Sequence, residues 1–291
     1  MSTQIPTGSI VVGIDGSDDA ALALEHAAAQ AVLERRPLTL LTAVSSMVAV
    51  AADPGGFRSV VDIEDLTASG RAVLREARVE AERLAPGVEI HEVFVLEDPR
   101  VALLDATRHA STVVVGSRGR GAVTRLLLGS VSSAVSRHAA CPVVVARPRP
   151  HGGAARGVLV GADATESSQP ILEHAFRQAS FRQLPLTVVH AYWDARTPVF
   201  LAGEIPAGVE ETRRVLVESM AGLREKYPDV AVSTEFARGQ ADEALVALSK
   251  ESDLLVIGAH HGNRLSAFVF GSVATVVVEH AACPVVVVPV R

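Results

Sequence analysis

The sequence predicts an α/β protein of two tandem, doubly wound, five-stranded parallel sheets, each of strand order 3-2-1-4-5. Three observations carry that expectation. The 291-residue chain is long enough for two domains, at roughly 150 residues each. It aligns with itself, and within each copy short, uniformly apolar runs alternate with longer helical patterns. Such alternation describes parallel strands joined by helical crossovers.

The repeat has four anchors. Leu24-Glu25-His26-Ala27 returns as Leu172-Glu173-His174-Ala175, and Pro37-Leu38-Thr39 as Pro185-Leu186-Thr187, both at an offset of 148 residues. Gly129-Ser130-Val131 returns as Gly271-Ser272-Val273, and His138-Ala139-Ala140-Cys141-Pro142 as His280-Ala281-Ala282-Cys283-Pro284, both at 142. The second copy has therefore lost six residues between the two pairs of anchors. Between the copies, residues 147–153 are rich in proline, glycine and arginine, as exposed linkers are, so the expected domains are 1–150 and 151–291.

Taken in order, residues 10–15 form an apolar first strand, and alanine-rich residues 18–34 a helix capped by Ser17 or Asp18. Residues 38–44 are the second strand, 60–84 a longer helix ending at Pro86, and 88–96 the third strand. A helix at 99–109, a strand at 112–116, a helix at 130–138 and a strand at 143–146 complete the unit. The second copy repeats the strands at 158–163, 186–192, 230–237, 254–258 and 285–288.

Composition narrows the function. Hydrophobic residues make up 48% and charged residues 21%, enough apolar material for a core in each half. A net charge of −6 argues against a nucleic-acid partner, which calls for a basic surface. The first nine residues lack the basic and apolar regions of a secretory signal, and no apolar run reaches ~18 residues, so no membrane insertion and a cytoplasmic location are expected. Cys141 and Cys283 occupy matching positions before a strand and read as small buried hydrophobes, with no disulfide or metal framework.

Open parallel sheets bind ligands beyond the carboxyl ends of their strands, where the strand order reverses. In this order that crevice lies between the first and fourth strands, and the most unusual residues follow those two: Asp15, and Gly116-Ser117-Arg118-Gly119. Glycine lets backbone amides approach phosphate oxygens, and Arg118 and Arg120 add positive charge. Nine residues intervene between Gly119 and Gly129, which with Ser130 opens a helix whose unpaired amides and dipole favour an anion. Asp15 would accept hydrogen bonds from ribose hydroxyls or an adenine amino group; its simpler reading is a helix cap beside Ser17.

The spacing Gly-two residues-Gly-nine residues-Gly-Ser resembles the ATP-binding signature of the universal stress protein family, with Gly116, Gly119, Gly129 and Ser130 in register. The likeness spans both copies and implies the tandem-domain form, with an adenine nucleotide alpha hydrolase-like fold. It implies ATP, accompanied by Mg²⁺, contacted by Asp15, Ala43, Gly116, Arg118, Gly119, Gly129, Ser130, Val131 and Ser132. It also implies little or no hydrolysis, a homodimer formed through the last strand, and a regulatory role in stress or growth state through a protein partner. In the second copy the corresponding residues are Asp163, Ala191, Gly258, His260, Gly271, Ser272 and Val273. There the loop reads Gly258-Ala259-His260-His261-Gly262, so His261 replaces the second signature glycine. His261 is an exposed loop residue, a phosphate ligand gaining charge below about pH 6.5, or an obstruction.

Other chemistries lack their motifs. The two lysines, Lys226 and Lys250, follow Glu225 and Ser249, so there is no P-loop. No dinucleotide Gly-x-Gly-x-x-Gly, Gly-x-Ser-x-Gly elbow or His-Glu-x-x-His is present. His138 and His280 sit near helix carboxyl ends, where an imidazolium meets the dipole, and the Glu25-His26 and Glu173-His174 pairs read as packing or surface features. Residues 47–57 and 193–208 read as loops that cover a ligand, contact a second copy, or lie on the surface. A slow ATPase or phosphotransferase, and a non-catalytic dimerisation scaffold with a vestigial pocket, remain the competing functions.

Overall fold

The computed structural model describes residues 5–45, 51–52, 58–59, 63–119, 128–148, 157–192, 207–260 and 267–290. Its contacts divide the chain into two compact units, Met1–Arg147 and Pro148–Arg291.

The first unit runs β1 (Ile10–Gly13), α1 (Asp18–Glu34), β2 (Leu38–Ala43), α2 (Ile63–Leu84), β3 (Ile90–Val95), α3 (Pro99–Ala106), β4 (Thr112–Gly116), α4 (Ser130–His138) and β5 (Val143–Ala146). A two-residue antiparallel pair, Ala51–Ala52 with Arg58–Ser59, precedes α2. The sheet is parallel throughout, in the order β3-β2-β1-β4-β5, which is the 3-2-1-4-5 arrangement. Ile10, Val11 and Val12 have no exposed surface, and Leu38, Leu40, Val113, Val114 and Val143 have none either. Apolar side chains on both faces of these strands are thus removed from water, each contributing about 1.5–3 kcal/mol.

Two devices fix α1. Ser17 caps it, its Oγ accepting from the Ala20 amide at 3.2 Å, and Asp18 and Asp19 place negative charge on its first turn. At the far end Arg35 takes the left-handed conformation (φ 52°), its amide reaching Ala31 O and Val32 O, and Pro37 prevents further helix. Helix α2 lies close on β3 because Gly70 faces the Phe94 ring; a Cβ there would come 2.3 Å from Phe94 Cε2.

The second unit runs β6 (Val158–Gly161), a 3-10 turn (Glu166–Ser168), α5 (Gln169–Arg182), β7 (Leu186–Tyr192), α6 (Ala207–Lys226), β8 (Val232–Arg238), α7 (Ala241–Ser249), β9 (Leu254–His260), α8 (Ala267–His280) and β10 (Val285–Val290). Its parallel order is β8-β7-β6-β9-β10, again 3-2-1-4-5. Helix α5 ends as α1 does, on left-handed Gln183 (φ 53°) two residues before Pro185.

Several boundaries differ from the sequence reading. β1 and β6 stop at Gly13 and Gly161, two residues short, although the next amides still reach the neighbouring strand: Ile14 N–H to Leu41 O at 2.9 Å and Ala162 N–H to Val189 O at 3.0 Å. In the second unit β9 continues past Gly258 to His260, because β10 runs on to Val290 and offers Pro289 and Val290 as partners. Helix α8 starts at Ala267, so Gly271 and Ser272 lie inside it instead of opening it. Cys141 and Cys283 are buried and unbridged. His138 and His280 are the last residues of α4 and α8.

Candidate functional site

In the first unit the chain turns out of β1 at Asp15. Asp15 Oδ1 accepts from the Ser17 amide at 2.9 Å and from Ser17 Oγ at 2.6 Å, so it braces the capping residue of α1 rather than capping the helix itself. The loop after β4 comes down on the other carboxylate oxygen: a Cβ built on Gly119 would lie 2.6 Å from Asp15 Oδ2. Only a residue without a side chain lets this loop sit there. The ends of β1 and β4, separate in sequence by about a hundred residues, therefore meet.

Gly116 plays a different part from the ligand-facing one expected of it. It is buried, pairs with Ala146 in the ladder, and faces α1, where a Cβ would lie 2.7 Å from the Asp19 carbonyl carbon and oxygen. The glycine allows helix and strand to touch. Just beyond it, Ser117 Oγ donates to Asp19 Oδ2 at 2.6 Å, and Arg118 donates from Nε to Oδ2 at 3.1 Å and from Nη2 to Oδ1 at 3.3 Å. Burial pushes the Asp19 carboxyl up, but the hydrogen bonds from Ser117 and Arg118 and the nearby guanidinium charge outweigh it and hold the group below its usual range. Arg118 is thereby fixed along one edge of its fork while a third of its side chain stays exposed. The sequence reading missed Asp19; its signal was the pairing of an acid on the first turn of α1 with Ser117-Arg118 in the first copy alone.

The start of α4 is tied to the same loop. The Gly129 amide donates to Ser117 O at 2.8 Å, and Ser132 Oγ donates to Gly116 O at 2.6 Å. Gly129 is the capping residue in extended conformation (φ −63°, ψ 150°), and no side-chain hydrogen bond caps the helix. By helix geometry the amides of Ser130, Val131 and Ser132 lack intrahelical acceptors. Ser130 is exposed and Val131 half-buried, while Ser132 is buried as a brace. Ala43 ends β2, half-buried, beside Thr42, whose hydroxyl donates to Ile14 O at 2.8 Å and pins the β1 exit to β2. Arg120 lies outside the described residues.

The elements brought together are a carboxylate, a glycine loop, a helix amino terminus and a held guanidinium. A triphosphate suits the last three, with a sugar or base suiting the first. Among the described residues no group of three or more His, Cys, Asp or Glu could hold a metal ion, and no helix is long and apolar enough to cross a membrane.

The second unit keeps the frame and changes the contents. His190 Nδ1 donates to Ala162 O at 2.9 Å, in the place of the Thr42 bond. Asp163 Oδ1 accepts from the Thr165 amide at 3.0 Å, Thr165 Oγ1 at 2.6 Å and Ser168 Oγ at 2.5 Å, and Ala164 turns with φ 61° where the first unit uses Gly16. Gly258 faces the Ile171 side chain, and its neighbours Ala259 and His260 are ladder residues opposite Pro289 and Val290. Ala191 sits half-buried in β7 opposite Ala237. Gly271, Ser272 and Val273 are interior residues of α8, and His261 lies outside the described residues. Of the flanking loops, 46–50, 53–57 and 193–206 lie outside them too. His174, on the buried face of α5, accepts from Arg177 Nη2 at 2.9 Å and is a packing residue.

A model of the universal stress protein family matches residues 7–147 and 155–289. The chain is similar to a universal stress protein of Mycobacterium tuberculosis strain H37Rv, 36% identical over 99% of this chain and 98% of that one. It is also similar to one of Mycolicibacterium smegmatis, 34% identical over 97% of each. Among solved structures, a universal stress protein from Archaeoglobus fulgidus matches with a TM-score of 0.73 at 19% identity, covering 98% of this chain and 99% of that chain, which bears on the fold alone.

Proposed function

The chain belongs to the universal stress protein family, and from that premise we propose that it binds ATP in the crevice of its first half and acts as a nucleotide-dependent regulator with little or no hydrolysis. The observation that carries this reading is the approach of Gly119 to Asp15, with 2.6 Å between a hypothetical Cβ and Oδ2. It supports a ligand that spans from a carboxylate at one strand end to a glycine loop at the other. Asp15 accepts from ribose hydroxyls or the adenine amino group, near Ala43. The Gly119 amide, the first-turn amides of α4 and the Ser130 hydroxyl donate to phosphate oxygens, and Arg118 supplies charge from its fixed position. Mg²⁺, when bound, neutralises phosphate charge, held mainly by phosphate oxygens and water.

A regulatory role fits better than catalysis. Of the two carboxylates that touch the glycine loop, Asp19 is engaged by Ser117 and Arg118 and held below the usual range, which makes it a weak general base. ATP instead orders the strand-end loops and alters the surface offered to a second copy of the chain or to a protein partner in the cytoplasm.

Denaturing the purified full-length protein and identifying the released nucleotide by mass tests the ligand, and calorimetric titration with ATP tests the site. Asp15→Ala and Gly119→Ala are expected to lose ATP while the circular dichroism spectrum is kept. Full ATP binding in both variants overturns the site. Steady phosphate release abolished by the same changes marks a slow ATPase. No bound nucleotide, and no thermal stabilisation by added ATP, marks a scaffold.

A further inference from the structure

We infer that only the first half takes a nucleotide, so that each chain binds one ATP, and that Asp19 is the positioning residue that distinguishes the halves. The inference rests on the ATP-binding reading above and deepens it.

Three differences between the duplicated units support it. The first is where the phosphate-side helix begins. Gly129 caps α4 and leaves the amides of the next three residues without intrahelical acceptors, whereas α8 begins at Ala267 and Gly271 is already its fifth residue. The Gly271 amide then meets the carbonyl four residues earlier and is committed to the helix. The Gly-Ser dipeptide survives in the sequence but no longer marks a helix amino terminus.

The second difference is the loop. In the first half β4 ends at Gly116 and the chain leaves the ladder through Ser117 and Arg118. In the second half the matching residues, Ala259 and His260, stay paired with Pro289 and Val290. The chain therefore leaves the sheet at least two residues later.

The third is chemical. Asp19, Ser117 and Arg118 form one connected cluster, and the repeat offsets place Ser167, Ala259 and His260 at the three corresponding positions. An acid, a hydroxyl and a guanidinium have been exchanged together, so the second half cannot build the ion pair that holds a cation over its crevice. Ser167 instead joins the turn hydrogen bonds, 3.0 Å from Thr165 Oγ1. Asp163 Oδ1 itself accepts from the Thr165 amide, Thr165 Oγ1 and Ser168 Oγ in that turn.

Asp19 touches no ligand in this account. It works through Arg118, by presenting the guanidinium in one orientation before ATP arrives.

The test is calorimetric titration of the full chain with MgATP and, separately, with adenosine. One ATP per chain is expected. Asp163→Ala is expected to leave stoichiometry and affinity unchanged, and Gly119→Val to abolish binding. Asp19→Asn is expected to weaken ATP roughly tenfold, as loss of a charge-assisted contact predicts, with adenosine affinity nearly unchanged. Asp19→Glu is expected to restore part of the ATP affinity. Two ATP per chain, or loss of ATP on Asp163→Ala, overturns the inference while leaving the ATP reading intact. Equal weakening of ATP and adenosine by Asp19→Asn overturns the positioning role. No binding by the parent protein refutes the ATP reading itself, and this inference with it.

Discussion

Replacing Gly116 by alanine would set a methyl group against backbone that has no room to yield. The new Cβ would lie 2.7 Å from the Asp19 carbonyl carbon and oxygen and 2.9 Å from Asp19 Cβ, where ordinary contact begins at 3.4 Å. Either β4 or the first turn of α1 must withdraw by roughly 0.7 Å, and overpacking of that kind costs about 1–3 kcal/mol. The same displacement loosens the Ser117 and Arg118 hydrogen bonds to Asp19, adding about 1 kcal/mol. A total of about 2–4 kcal/mol corresponds to a fall of about 4–16 °C in melting temperature for a unit of this size. Gly258→Ala is the matched control. Its Cβ would meet side-chain atoms alone, Ile171 Cδ1 at 2.3 Å, Ile171 Cγ1 at 3.1 Å and Val290 Cγ2 at 3.3 Å, so a rotamer change of the buried Ile171 relieves it and the expected cost is lower than for Gly116→Ala, about 1–2 kcal/mol. Scanning calorimetry of the full chain reads both variants. The reasoning is refuted if Gly116→Ala melts within about 1 °C of the parent, or if Gly258→Ala is the more damaging change.

Three further outcomes are expected. Because Asp19 has a depressed folded-state pKa, its stabilising contacts are fully present above its ordinary value of 3.8 and fade as pH falls through the lower folded value. The melting-temperature gap between parent and Asp19→Asn should be constant near neutrality and close below that value. Burial, with Arg177 and Arg182 nearby, pushes the His174 pKa down to about 3. Between pH 6.5 and about 3 the unfolded chain therefore binds a proton that the folded one refuses, and stability declines by at most about 1.4 kcal/mol per pH unit. Urea titrations across that range should show a flatter decline for His174→Phe. Finally, burial pushes the Cys141 thiol up to about 12, so iodoacetamide should label Cys141 only after denaturation, as mass spectrometry would reveal.

The sequence carried the fold well because the decisive information was local and repeated. Uniform runs such as Ile10-Val11-Val12 and Val143-Val144-Val145 demand burial on both faces, and the duplication doubles every such signal. The cap at Ser17 was legible for the same reason, as was the meeting of Asp15 with the glycine loop, which follows from topology. What escaped was long-range. Nothing near Gly258 says that β9 continues to His260; that depends on β10 extending through Val290. Nothing in Gly271-Ser272 reveals that Ala267-Phe268-Val269-Phe270 already form helix, so an intact motif changes its structural meaning. Gly116 fits both a ligand-approach and a packing reading until the Asp19 carbonyl is seen beside it. The Asp19 cluster needed the two copies to be compared position by position, since Asp19 alone is an ordinary acid on the first turn of a helix.

The left-handed residues at the ends of α1 and α5 have a further consequence. Arg35 and Gln183 occupy equivalent places in the duplication, and each holds a backbone geometry that side chains resist and glycine adopts without strain. Both copies thus retain the same small flaw, set 148 residues apart. The molecule is consequently open to stepwise hardening: a glycine at either site acts far from the crevice, and because the sites lie in separate units their benefits should add.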